Sequence, residues 1–79
     1  MKIVVYGPGC AKCKQAEQVV RQVVAELGTA VEVEKVDDLG EMIRAGVMST
    51  PAVAVDGKVK VTGRVPSPQE VKAWLAGTG

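Results

Sequence analysis

Cys10 and Cys13 lie in the stretch Gly7-Pro8-Gly9-Cys10-Ala11-Lys12-Cys13, and they are the two cysteines of a chain that has no histidine. Two thiols at this spacing can close a structural disulfide, hold a soft metal ion, or exchange a disulfide with another molecule. As a staple the pair is weak. Closing a four-residue loop removes denatured-state entropy worth about 2 kcal/mol, against roughly 3 kcal/mol for fifteen residues. As a metal site it supplies half of a tetrahedral zinc shell, with no histidine and no second C-x-x-C to complete it. Copper(I), a soft ion, still suits two thiolates.

Reversible exchange fits the geometry best. Side chains at i and i+3 of a helix have Cβ atoms about 5–6 Å apart, slightly wide for the roughly 3.5–4.5 Å of a disulfide. Cys10 placed at the non-helical position ahead of a helix, after the flexible Gly9, lets the bond form without bending that helix. Cys10 is then the exposed thiol and Cys13, one turn in, the shielded one. A helix N-terminus carries partial positive charge and unpaired N–H groups, which stabilise a thiolate and lower its pKa below the free value of about 8.5. Lys12 and Lys14 also fall in this first turn, where a cation costs about 0.3–1 kcal/mol. A residue choice that runs against local preference points towards function, although Lys14 alone reads as a solvated surface lysine.

The elements around the pair follow from hydrophobic period and turn chemistry. Lys2 to Tyr6 is a short apolar run suited to a strand buried on both faces, and Gly7-Pro8-Gly9 breaks it. From Ala11, apolar positions Cys13, Ala16, Val20, Val23 and Leu27 recur at helical spacing up to Gly28. Ala30 to Val36 alternates as an edge strand with a wet face. Asp38 and Glu41 have capping-box spacing for a helix over Asp38–Ala45, with Leu39, Met42 and Ile43 as its apolar side. Ala52 to Val55 and Lys58 to Thr62 flank Asp56-Gly57, a type I′ hairpin signal. Ser67-Pro68-Gln69-Glu70 opens a last helix whose buried stripe is Val71, Trp74 and Leu75.

The order β-α-β-α-β-β-α predicts an α/β fold over a single domain, residues 1–79. A right-handed crossover makes the first two strands parallel neighbours, and the hairpin pairs the last two. The most apolar strands, the first and third, belong in the centre, giving a four-stranded mixed sheet of order 2-1-3-4 with helices on both faces. A net charge of +1 gives no electrostatic case for nucleic acid or an anionic membrane. The N-terminus lacks a signal peptide's apolar region, and no run approaches the roughly 18 apolar residues of a membrane span. The expected setting is the cytoplasm, where a cysteine pair more often does chemistry than staples.

A strand, Cys10-x-x-Cys13 opening a helix, Thr50-Pro51 leading into a hairpin, and Gly63 after the fourth strand together resemble the thioredoxin/glutaredoxin superfamily. The nearest likeness is to its minimal members, the small thioredoxin-like redox-active disulfide proteins of archaea and bacteria, and it covers essentially the whole chain. The resemblance implies a catalytic Cys10 and Cys13, a cis Pro51 facing the disulfide, and a Thr50 backbone that pairs with an extended substrate, with Gly9 and Lys12 beside them. It implies protein disulfides as substrates, a thioredoxin-reductase-type electron donor, and no cofactor, because the dithiol carries the two electrons. Three departures stand out. Gly9-Cys10-Ala11-Lys12-Cys13 replaces Trp-Cys-Gly-Pro-Cys, which alters the surface a reductase would meet. Ile3-Val4-Val5-Tyr6 lacks the family's buried carboxylate, which leaves water or Lys12 to take the Cys13 proton. Thr62-Gly63-Arg64-Val65 has one glycine and no acid, so glutathione binding is not supported.

The expected activity is thiol–disulfide exchange with proteins. The alternative keeps the same fold as a soft-metal (copper) or partner-binding module without turnover. Tyr6, Trp74 and Leu75 read as core. Met48 suits either a substrate groove beside Pro51 or a gap in the core.

Overall fold

The structure, a computed structural model, describes residues 2–9, 11–28 and 30–76. Seven elements follow in order: β1 (Lys2–Tyr6), α1 (Ala11–Leu27), β2 (Glu32–Val36), α2 (Leu39–Arg44), β3 (Ala52–Val55), β4 (Lys58–Thr62) and α3 (Pro68–Leu75). They form one sheet of order β2-β1-β3-β4, with β1 parallel to β2 and antiparallel to β3, and β3 antiparallel to β4. The order and directions match the sequence expectation, with the charged strands at the edges.

Period-two alternation divides the two central strands between two packing layers. Ile3 and Val5 of β1 pair with Val55 and Val53 of β3, and all four face one layer with Ala16, Val20 and Val23 of α1 and Val71 of α3. Trp74 and Leu75 are half-buried against this same cluster. The opposite parity, Tyr6 and Ala52, meets Met42 of α2 and Val47 on the other face. Each apolar side chain so buried contributes about 1.5–3 kcal/mol, and valine supplies most of them. Short branched side chains let α1 lie close on the sheet, which is what brings its first turn down to the end of β1.

The second face is covered only at one end. α2 is six residues long, and Lys2, Glu32 and Glu34 remain exposed on its side of the sheet, with Lys2 Nζ 2.6 Å from Glu34 Oε2. The expected apolar side of α2 is also only partly used: Met42 is buried, but Leu39 and Ile43 are 70% and 68% exposed. With six residues the helix can press one side chain into the core while its neighbours a turn away overhang the sheet. Leu27, the last of the periodic apolar positions of α1, is 45% exposed in the helix's final turn.

Local signals act as their chemistry requires. Gly28, at φ 62°, closes α1 by donating its N–H to Val24 O at 3.1 Å. Asp56 (φ 50°) and Gly57 (φ 84°) both take positive φ in the hairpin turn. Asp56 also ties that turn to β1, its Oδ1 accepting from Lys2 N at 2.8 Å. Ser67 and Glu70 complete the capping box of α3. At α2 the expected box stays open: Asp38 Oδ1 accepts from Gly40 N, while Glu41 turns to Arg44 at 2.9 Å. A bulge in β4 pairs Val61 with Val53 but Val59 with Ala54, sending the two valines to opposite faces.

Candidate active site

The end of β1 and the start of α1 meet at Cys13. Its side chain is fully buried in the first turn of a 17-residue helix. Against it lies the backbone of Gly7, which continues the β1–β2 ladder by donating its N–H to Val36 O at 2.9 Å. A Cβ at residue 7 would collide with Cys13 Sγ and stand 2.7 Å from Cys13 Cβ, so only glycine leaves room for this sulfur. Gly7 read in the sequence simply as a strand breaker. The available signal was a glycine directly after a central strand, where another group can approach the backbone closely.

Cys10 lies outside the described residues. Gly9, the residue before it, takes φ 89°, in the left-handed region that glycine enters without strain. Lys12 and Lys14 are exposed in the first turn of α1, which contains no acidic residue. The positive end of the helix dipole is therefore reinforced and not neutralised by its own side chains.

The third component precedes β3. The Thr50–Pro51 peptide bond is cis. Pro51 is fully buried, and its carbonyl accepts a 2.9 Å hydrogen bond from Gly63 N. Gly63 takes φ 77°, and a Cβ there would stand 3.3 Å from Ser49 Cβ, so this glycine lets the two loops close on each other. The β1–β3 register places Tyr6 opposite Ala52. Continued by one residue, it sets Gly7 opposite Pro51, so the seat of Cys13 and the proline adjoin across the sheet. Tyr6 itself is half-buried on the α2 side with Met42 and Ala52.

Beside this junction opens a cavity of about 360 Å³. Buried Met42 and Val47 form its apolar floor, Pro8 and Thr50 line the side towards the cysteine loop, and Asp37, Leu39 and Met48 line the rest. Met48 is 94% exposed, which rules out the core-filling role weighed for it above. Asp37 and Leu39 carried no site assignment in the sequence, since an acid before a helix and a helical leucine have ordinary structural uses.

The Arg64 guanidinium grips the Glu70 carboxylate through two bonds of 2.7 Å, and Ser67 N adds a third at 3.0 Å. Hydrogen bonding to Arg64, with Ser67 N helping, lowers the Glu70 pKa from 4.5 to about 2. The clamp fixes the loop after β4 onto α3. Among the described residues no group of three or more His, Cys, Asp or Glu side chains is placed to hold a metal ion, and no helix is long and apolar enough to cross a membrane.

Comparison with known proteins agrees with this fold. Residues 1–76 match the family model for the thioredoxin domain. A thioredoxin of Methanothermobacter thermautotrophicus is 43% identical over 76 residues, covering 96% of this chain and 99% of that protein. A thioredoxin of Methanocaldococcus jannaschii is 41% identical over 71 residues, covering 90% of this chain and 81% of its own. A probable thioredoxin, also of M. thermautotrophicus, is 37% identical over 67 residues, covering 81% and 78%.

Proposed function

The chain belongs to the thioredoxin family, and from that premise we propose that Cys10 and Cys13 are the exchanging pair of a protein thiol–disulfide oxidoreductase. The observation that carries the reading is the seat of Cys13: a fully buried sulfur, one turn into a helix whose first turn bears two lysines and no acid, packed on a glycine at the end of the central strand. That is an environment for a resolving thiol, shielded from bulk oxidants and presented on a rigid element.

In the proposed cycle, Cys10 Sγ, as thiolate, attacks one sulfur of a client disulfide. A Cys10–client S–S bond forms, the client S–S bond breaks, and the second client sulfur leaves as a thiolate that takes a proton. Cys13 then loses its proton to water and attacks Cys10 Sγ. This expels the first client sulfur and leaves Cys10–Cys13 oxidised and the client as a dithiol. Two electrons have passed to the client without a cofactor. A thioredoxin-reductase-type donor restores the pair, and a reducing compartment, the cytoplasm, supplies it. Gly9 gives the loop freedom at Cys10, and the Thr50 backbone, ahead of Pro51, pairs with the extended client chain. One domain, residues 1–79, suffices for the cycle.

Turnover of insulin disulfides tests the reading. The wild type is expected to reduce insulin and Cys10→Ser to lose the activity, while Cys13→Ser accumulates a client mixed disulfide at Cys10. Undiminished turnover in Cys10→Ser would overturn it.

A further inference from the structure

Among the described residues, Lys12, Lys14, Glu32, Asp37 and Lys58 are the charged side chains that make no hydrogen bond or ion pair. Glu32 and Lys58 lie at the end of the sheet near the β3–β4 turn. The other three stand exposed at the opposite end, around the cysteine loop. Lys12 and Lys14 open α1, which packs on the face of the sheet that carries Ile3 and Val5. Asp37 follows β2 and lines the cavity floored by Met42 and Val47, on the other face. The loop ahead of α1 thus has free cations on one flank and a free anion on the other.

Beside these charges the surface is apolar. Leu39 and Met48 share the cavity wall with Asp37, Ile43 is one helical turn along α2 from Leu39, and all three side chains stand exposed. A clustered apolar patch with a charged rim marks a surface that another molecule covers. Symmetry identifies the occupant. A foreign partner would have to present an acid and a base at a matching separation on either side of an apolar contact. A second copy meets that condition by construction: a two-fold rotation about an axis through the patch brings the cations of each copy onto the anion of the other, whatever their separation, as in any isologous interface. The net charge of +1 leaves little long-range repulsion to oppose the approach.

We propose that two copies of this chain pair reversibly through this face, Lys12 and Lys14 of each meeting Asp37 of the other around Leu39 and Met48, and that the pairing closes off the loop ahead of α1 in both. The interface stands on the charges and the patch; its consequence, that exchange waits on dissociation, rests on the reading of Cys10 and Cys13 above. So few exposed apolar side chains per copy build a small interface, at the weak and transient end of the size range. The dimer therefore opens on dilution, and the charges set its register and specificity more than its strength.

Sedimentation equilibrium of the reduced protein, from about 10 µM to about 1 mM, reads the association. Wild type is expected to pass from monomer to dimer over this range. Asp37→Lys leaves the face all cationic, and Lys12→Glu with Lys14→Glu leaves it all anionic, so each variant alone should associate at least about tenfold more weakly. An equimolar mixture of the two sets every changed charge opposite its complement and should recover a dimer, which also shows that both are folded. Glu32→Lys changes the net charge as Asp37→Lys does but lies at the far end of the sheet, and should dimerise as wild type does. Insulin turnover per molecule is expected to fall severalfold as wild type enters the dimer range, and to be independent of concentration in Asp37→Lys. A wild type that stays monomeric throughout overturns the proposal, as does a dimer that neither swap weakens or that Glu32→Lys weakens equally. A dimer with undiminished turnover overturns the closing of the loop. Full turnover at low concentration leaves the exchange reading standing in every one of these cases, and its absence there removes that reading without touching the dimer.

Discussion

A methyl group at residue 7 is the smallest change that reaches Cys13, and its cost can be worked from the contacts. The added Cβ would overlap Cys13 Sγ and sit 2.7 Å from Cys13 Cβ, where carbon pairs prefer about 3.5–4.0 Å. Backbone at both ends resists the required shift: Gly7 is bonded to Val36, and Cys13 is in the first turn of a long helix. Overpacking of this kind costs about 1–3 kcal/mol. Alanine restricts the unfolded chain and returns about 0.4–1 kcal/mol, and Gly7 is not among the positive-φ glycines, so no backbone strain is added. The net expectation for Gly7→Ala is a loss of up to about 2.6 kcal/mol, read as a lower urea midpoint at unchanged slope for the reduced protein. At about 4–8 °C per kcal/mol for a domain of this size, Tm falls by up to roughly 20 °C. Repeating the substitution in a Cys13→Ala background removes the Sγ collision but not the Cβ approach, so the penalty should shrink without vanishing. The coupling lies in the range of about 0.5–3 kcal/mol found for touching residues. An equal penalty in both backgrounds would falsify the seat described for this sulfur.

Three further outcomes are expected. Glu70→Gln should lower stability at pH 7 by about 1 kcal/mol, the scale of a cap plus a partly exposed ion pair. Because the Glu70 pKa is depressed from 4.5 to about 2, that contribution is complete above pH 4.5 and is lost as pH falls through 2, so the denaturation curves of variant and wild type should converge on acidification. Gly57→Ala should cost about 1–2 kcal/mol by chemical denaturation, since residue 57 holds φ 84°. Met42→Ala should cost about 2–5 kcal/mol, whereas Leu39→Ala, on the same short helix but exposed, should stay within about 0.5 kcal/mol in the same assay.

The fold was legible in the sequence wherever one local rule decided the outcome. Asp56-Gly57 specified its turn, Ser67 through Glu70 specified the start of α3, and the uniform apolarity of Ile3–Val5 and Ala52–Val55 specified the centre of the sheet. The rule failed where two fates share a pattern. Leu39 and Ile43 have the spacing of a buried face, but burial depends on what the sheet offers opposite, and six residues of α2 reach only its end. The cysteine motif and the Thr50-Pro51 turn pointed to the candidate site, since their residue types carry chemistry wherever they lie. The seat of Cys13 on Gly7 was not legible, and of the cavity beside Asp37 only Met48 was anticipated as a groove residue. Both arise from residues brought together across strands, and neither leaves a periodic or compositional trace.

The bulge in β4 makes strand length an inherited property of this chain. Val59 and Val61 serve opposite layers because Lys60 lies between them as the extra residue of the ladder. Removing one residue there would restore simple alternation and force one of the two valines into the other's layer, stripping a side chain from either the helical core or the cluster under Met42. Point substitutions at the solvent edge of this hairpin are thus open to drift, whereas a single-codon deletion in the same stretch strikes both halves of the interior together.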